Sequence, residues 1–160
     1  MKDLIEELQQ RQATSLELGG AARVERQHNQ GKLTARERVD LLFDTNTLEE
    51  LGQLATHVHT PVTTIPNKHT PADGVVTGFG KIEGRAAAVI AEDFTVLGGS
   101  LGINNFNKKN RIIEVAQRDK LPIVWLFDGA GARTDEFIGE GLAPIHHFME
   151  VARLSGVTPQ

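Results

Sequence analysis

Apolar positions along this chain change period several times, and each change marks an element. Over residues 2–29, Leu4, Ile5, Leu8, Leu16, Leu18 and Val24 stand among many charges, with Gly19-Gly20 as a break. Three- and four-residue spacing predicts two short amphipathic helices there, with stripes so thin that they must pack onto something larger. Thr34-Ala-Arg-Glu37 has capping-box spacing, so a third helix is expected from Ala35, presenting Val39, Leu41 and Leu42. Residues 48–58 read as strand, and the proline-bearing stretch 61–71 reads as loop. Residues 73–82 and 85–92 read as two strands around a Glu83-Gly84 turn, a hairpin.

From residue 86 the pattern is more specific. Ala86-Ala-Ala-Val-Ile-Ala91 runs into Asp93-Phe-Thr-Val-Leu-Gly-Gly-Ser-Leu-Gly102, and Leu121-Pro-Ile-Val-Trp-Leu-Phe127 runs into Asp128-Gly-Ala-Gly-Ala-Arg133. Residues 104–120 between them have helical spacing. This predicts a strand–helix–strand crossover, with 121–127 as a central strand whose outer neighbour is expected to be missing here, leaving an apolar edge, and bare backbone beyond the end of each strand. Open α/β layers bind ligands at such ends. Glycine loops let N–H groups approach an anion or a polarised carbonyl without a side chain in the way. Residues 145–154 look helical, Ser155-Gly156 looks like a stop, and Val157-Thr-Pro-Gln160 looks like the approach to another strand.

Composition narrows the chemistry. The 160 residues carry no cysteine, which removes disulfides, thiolate nucleophiles and Cys-based metal sites. A net charge of −4 offers no electrostatic footprint for nucleic acid or an anionic membrane. The N-terminus lacks the apolar run of a signal peptide, so a cytoplasmic protein is the expectation.

Several motifs compete. Gly98-Gly-Ser-Leu-Gly102 matches the nucleophile elbow, and Ser100, Asp128 and His146 follow in hydrolase order. The same loop at a helix N-terminus also suits an anionic or polar ligand. Asp128-Gly-Ala-Gly-Ala-Arg133 starts like a dinucleotide fingerprint, but Thr134 holds the third glycine position and Gly139 and Gly141 argue against an immediate helix. The N–H groups of Ala130 and Gly131 are candidate oxyanion donors. Lys108, Arg111 and Arg118 can share one helix face, suited to a phosphate-bearing ligand. His57 and His59 share a strand face without a carboxylate partner at ligand spacing, so no zinc site is expected.

Gly31-Lys-Leu-Thr-Ala-Arg-Glu-Arg-Val-Asp-Leu-Leu-Phe-Asp44 resembles the N-terminal signature of biotin-dependent acyl-CoA carboxylase carboxyltransferase subunits, of the propionyl-CoA carboxylase β type. Asp73-Gly-Val-Val-Thr-Gly-Phe-Gly80 and the two glycine-loop stretches agree in order. The resemblance implies an α/β, crotonase-like ββα superhelix. Residues 1–44 would be a helical N-terminal segment and 45–160 the start of the crotonase-like core, an incomplete N-terminal carboxyltransferase domain with no C-terminal carboxyltransferase domain. It implies transfer of CO2 from carboxybiotin to the α-carbon of propionyl-CoA or acetyl-CoA through a thioester enolate. The implied partners are acyl-CoA, a biotin carboxylase or biotin carrier subunit, and further copies of the carboxyltransferase subunit. CoA contacts are expected at Gly98, Gly99, Ser100 and Arg133, with Lys108 and Arg111 for phosphates, and no metal. The family usually has Asp-Ser-Gly-Gly-Ala-Arg where this chain has Asp128-Gly-Ala-Gly-Ala-Arg133, so Ala130 raises a question of loop conformation and acyl preference. Serine hydrolysis through Ser100 and a non-catalytic truncated paralogue are the alternatives. The 160-residue piece alone is expected to be inactive and poorly stable.

Overall fold

The computed structural model describes residues 1–61, 69–139 and 146–160, with only the backbone of His146 and His147. Most of the expected 61–71 loop lies outside the described residues. The first helices are α1, Lys2–Leu16, and α2, Ala21–Asn29, separated at Gly19-Gly20 as the pattern required. α1 leaves Leu4, Ile5 and Leu8 exposed and buries only Ser15, near its end. α3, Ala35–Leu42, carries the full capping box: the Glu37 N–H donates to Thr34 Oγ1 at 3.3 Å, and the Thr34 N–H donates to Glu37 Oε2 at 2.7 Å.

Four strands form one sheet in sequence order: β1, Glu49–Glu50; β2, Val75–Ile82; β3, Arg85–Glu92; and β4, Ile123–Leu126. The strand expected over 48–58 shrinks to two residues, because Gly52 at φ +68 turns the chain away. β2 and β3 are an antiparallel hairpin from Val75↔Glu92 to Ile82↔Arg85. Glu83 and Gly84 both have positive φ, the turn that matches strand twist. The Asp44 carboxylate accepts both turn N–H groups at 3.0 and 2.8 Å.

From β3 the chain crosses through α4, Ile103–Asp119, to β4, which pairs parallel to β3 from Ala88↔Ile123 to Ala91↔Leu126. Alternation along β3 builds two cores. Ala88 and Ile90 face Ile112, Ile113 and Ala116 of α4, together with Leu154. Ala87, Val89 and Ala91 face Ala35, Val39 and Phe43 around α3. A strand covered on both faces reads as the continuous apolar run seen in the sequence.

Among the described residues β4 lies at the sheet edge, its far side met by one bond from the Ile123 N–H to Pro159 O at 3.0 Å. One expectation changes. A helix does follow Arg133 at once: α5, Thr134–Gly139, is six residues long and takes in Gly139 as its last residue. α6, His146–Arg153, packs against α4.

Candidate active site

The two glycine loops emerge side by side where β3 and β4 end. Leu101 N–H donates to Gly131 O at 2.8 Å, Arg133 N–H to Leu101 O at 2.8 Å, and Ala130 N–H to Gly98 O at 2.9 Å. Close backbone approach requires glycine here. A Cβ on Gly99 would lie 2.3 Å from Asp128 O, and one on Gly129 would lie 2.5 Å from Glu92 Oε2. Gly131 has open space around it but sits at φ +90, which L side chains avoid. The loops border a cavity of about 570 Å³ whose backbone wall is Gly99, Leu101, Gly129, Gly131 and Ala132, with Phe127 and Phe148 beside it.

Behind the loops is a buried polar frame. Arg133 Nη1 donates to Glu136 Oε1 at 2.7 Å and lies 2.8 Å from Asp73 Oδ1, while Nη2 donates to Ser100 O at 2.8 Å. Glu136 Oε2 accepts the Ile103 N–H at 3.0 Å and Asp73 Oδ2 accepts the Asn105 N–H at 2.7 Å. Those are first-turn donors of α4, so the positive helix end is met by the chain's own carboxylates and not left for a ligand. Asp73 reaches this position from the left-handed region at φ 50, preceded by Ala72 at φ 51. Such residues cost roughly 1–2 kcal/mol each, and Asn105 Nδ2 holds the turn by donating to Asp73 O at 3.0 Å. Burial pushes the Asp73 carboxyl up, opposed by the charge and hydrogen bonding of Arg133.

The expected site residues separate into two sets. Gly99 and Gly131 line the cavity, whereas Gly98, Ser100 and Ala130 do not. Ala130 is not at positive φ, so its methyl is accommodated without strain. Its N–H is taken by Gly98 O, which removes it as an oxyanion donor; the Gly131 N–H donates to nothing among the described residues. Arg133 is 7% exposed and committed to Asp73, Glu136 and Ser100, so it frames the loops instead of facing CoA. Lys108 is also buried, its Nζ donating to the carbonyls of Ala72 and Val75, and burial lowers its pKa to about 8. Arg111 is exposed and bonds Glu114 at 3.2 Å. The expected cationic face therefore does not form.

Ser100 Oγ donates to Leu97 O at 2.7 Å and accepts from Arg133 Nε at 3.1 Å. Asp128 accepts from Gln27 Nε2 at 2.8 Å and Lys32 Nζ at 3.1 Å. The His146 side chain lies outside the described residues, so the Ser–Asp–His order has no observed relay. The His57 and His59 rings sit 4.2 Å apart off the sheet, and His57 is bonded to Thr70.

Four residues that matter here were not singled out from sequence: Asp73, Glu92, Lys109 and Glu136. Lys109 pairs with Glu92 at 2.8 Å in the cavity wall. A signal existed for the lysines. Lys108 and Lys109 lie one helical turn before Ile112 and Ile113, on the same inward face.

A hairpin and a parallel crossover with ligand loops at the strand ends define a crotonase-like domain, in part. The chain belongs to the carboxyl transferase domain family, whose model matches residues 26–160. It is 40% identical over 160 residues to the propionyl-CoA carboxylase beta chain of Roseobacter denitrificans, spanning all of this chain and 31% of that one. It is 41% identical over 160 residues to the methylmalonyl-CoA decarboxylase subunit alpha of Veillonella parvula, again covering all of this chain and 31% of the relative. The chain thus spans about a third of the length of these curated relatives. A transcarboxylase 12S crystal structure, a hexamer with hydrolysed methylmalonyl-coenzyme A bound, superposes with a TM-score of 0.87 at 36% identity. That match covers 98% of this chain and 30% of the other. Among the described residues, no helix is long and apolar enough to cross a membrane.

Proposed function

We propose that this chain forms part of the acyl-CoA site of a biotin-dependent carboxyltransferase, which moves a carboxyl group from carboxybiotin to the α-carbon of propionyl-CoA or acetyl-CoA. One observation carries the reading: among the described residues, every charged side chain in the cavity wall is already paired within the protein. Glu92 is held by Lys109, and Asp128 by Gln27 and Lys32. What the wall offers a ligand is backbone, with the Gly131 N–H uncommitted. That suits a neutral thioester whose carbonyl oxygen gains charge as the α-proton leaves, because preorganised N–H donors stabilise an enolate without needing an ionised side chain. No base is required of this chain. Carboxybiotin, when bound, supplies the carboxyl group and, once CO2 has left, a ureido nitrogen to take the proton.

The residues of this chain then divide the work. Gly99, Gly129 and Gly131 present backbone, Gly98 and Ala130 fix the loop spacing, and Ser100 and Arg133 tie the loops to α4. Phe127 and Phe148 keep water from the thioester. The partners are a biotin carrier and further copies of the subunit. The test is carboxylation of propionyl-CoA and acetyl-CoA by the intact protein with carboxybiotin. Turnover is expected, together with no labelling by a fluorophosphonate probe. Labelling at Ser100 that Ser100→Ala abolishes would replace this reading with a serine hydrolase.

A further inference from the structure

Glu92 ends β3 with its carboxylate under the start of the second glycine loop. Oε1 accepts from Lys109 Nζ at 2.8 Å, and Oε2 accepts the Asp128 N–H at 3.0 Å. The two side chains are only 12% and 3% exposed. Lys109 belongs to α4, Glu92 to β3 and Asp128 to the loop after β4, so one carboxylate joins all three parts of the crossover at the cavity wall. The fit is close enough that a Cβ on Gly129 would meet Oε2. From the α3 side, Arg38 holds the carbonyls of Glu92 and Leu126 at 2.5 and 3.4 Å.

We propose that Glu92 is a positioning residue: by accepting the Asp128 N–H it aims the backbone of residues 129–131 at the acyl-CoA thioester, and Lys109 holds its carboxylate in place. This rests on the acyl-CoA reading above. Glu92 acts through Asp128, since both of its oxygens are already occupied.

Hydrogen-bond chemistry makes the idea separable from the ion pair. A carboxylate accepts on both oxygens, whereas an amide accepts on one and donates from the other end. Glu92→Gln can serve Asp128 only by turning its NH2 toward the Lys109 ammonium, donor against donor. Adding Lys109→Met removes that conflict and keeps the acceptor. Glu92→Met with Lys109→Met is as neutral and about as large but offers Asp128 no acceptor. Replacing both charges of a buried pair is often tolerated, which keeps both double variants folded.

The experiment measures three things on the intact protein and these variants: exchange of the Asp128 amide hydrogen, calorimetric affinity for propionyl-CoA, and kcat and KM for its carboxylation. In E92M/K109M the Asp128 amide is expected to exchange about 10-fold faster. kcat is expected to fall about 10–100-fold with KM changed much less, as for a misplaced reacting geometry. E92Q/K109M recovers most of both, and E92Q alone lies between. Equal amide exchange and equal kcat in the two double variants would overturn the proposal, because only the Gln variant offers Asp128 an acceptor. If wild type neither binds nor carboxylates propionyl-CoA, the acyl-CoA reading fails by itself, and the aim at a thioester fails with it.

Discussion

Arg133 shows what a single buried charge does in this fold. It lies between two carboxylates that cap α4, its Nη1 within 2.8 Å of both. Removing one partner of such a cluster leaves uncompensated buried charge. Arg133→Met is therefore expected to cost about 3–5 kcal/mol, read as a lower urea midpoint, and Glu136→Gln added to it should recover part of the loss. Lys108 gives a pH signature. Burial lowers its pKa from 10.5 to about 8, so between those values the folded chain has released a proton that the unfolded chain keeps. Stability then rises with pH from about 8 towards 10.5, and below 8 the two states hold the proton alike. Lys108→Met should reduce that rise, leaving the part due to Lys109, whose pKa burial also lowers. Urea midpoints at pH 8 and pH 10, variant against wild type, check it.

At the scale of elements, the sheet is tied to its helices by short-range signals and a few distant clasps. Arg36 of α3 grips Glu50 of β1 at 2.7 and 3.2 Å, and Gln27 and Lys32 anchor the Asp128 loop from α2 and the turn after it. Thr34→Ala removes half of the capping box and is expected to destabilise by about 1 kcal/mol. Glu37 carries a second effect. The His28 hydrogen bond, with bonds from Thr34, lowers its pKa from 4.5 to about 2. A depressed carboxyl pKa stabilises the fold above the unfolded value. That contribution is present above about pH 4.5 and is lost as pH falls through about 2. Glu37→Gln should flatten the acid limb of a denaturation series run between pH 6 and pH 2.

For the whole molecule, the open side of the sheet is the dominant feature. β4 is paired with β3 only, apart from the Ile123–Pro159 contact, among the described residues. Around that edge Phe127 is 69% and Phe148 77% exposed, with Met149 and Val157 nearby in sequence. An apolar edge with unpaired N–H and C=O groups is a template for another strand. These 160 residues expressed alone are expected to self-associate with rising concentration. Phe127→Lys, which puts a charge beside the edge without touching either core, should reduce it. Light scattering over a concentration series decides. A wild-type chain that stays monomeric at every concentration would show that the edge is protected.

Much of the element order was legible in the sequence because it depends on local physics. The Gly19-Gly20 break, the Thr34–Glu37 box, the Glu83-Gly84 turn and the continuous apolar run of β3 all act within a few residues. The family resemblance was legible too, and so was the meeting of the two glycine loops at the strand ends. The fate of the charged groups was not. Lys108 and Arg133 look like ligand contacts in one dimension, and both are buried, as is Lys109. Their partners stand far off in the chain: Val75 and Ala72 for Lys108, Glu92 for Lys109, Asp73 for Arg133. Likewise, only the lacing of the two loops took the Ala130 N–H and left that of Gly131. Local spacing sets which backbone forms helix, strand or turn. Whether an ion faces water or a buried counter-ion depends on which distant carboxylate the fold brings beside it, and tertiary structure alone decides that.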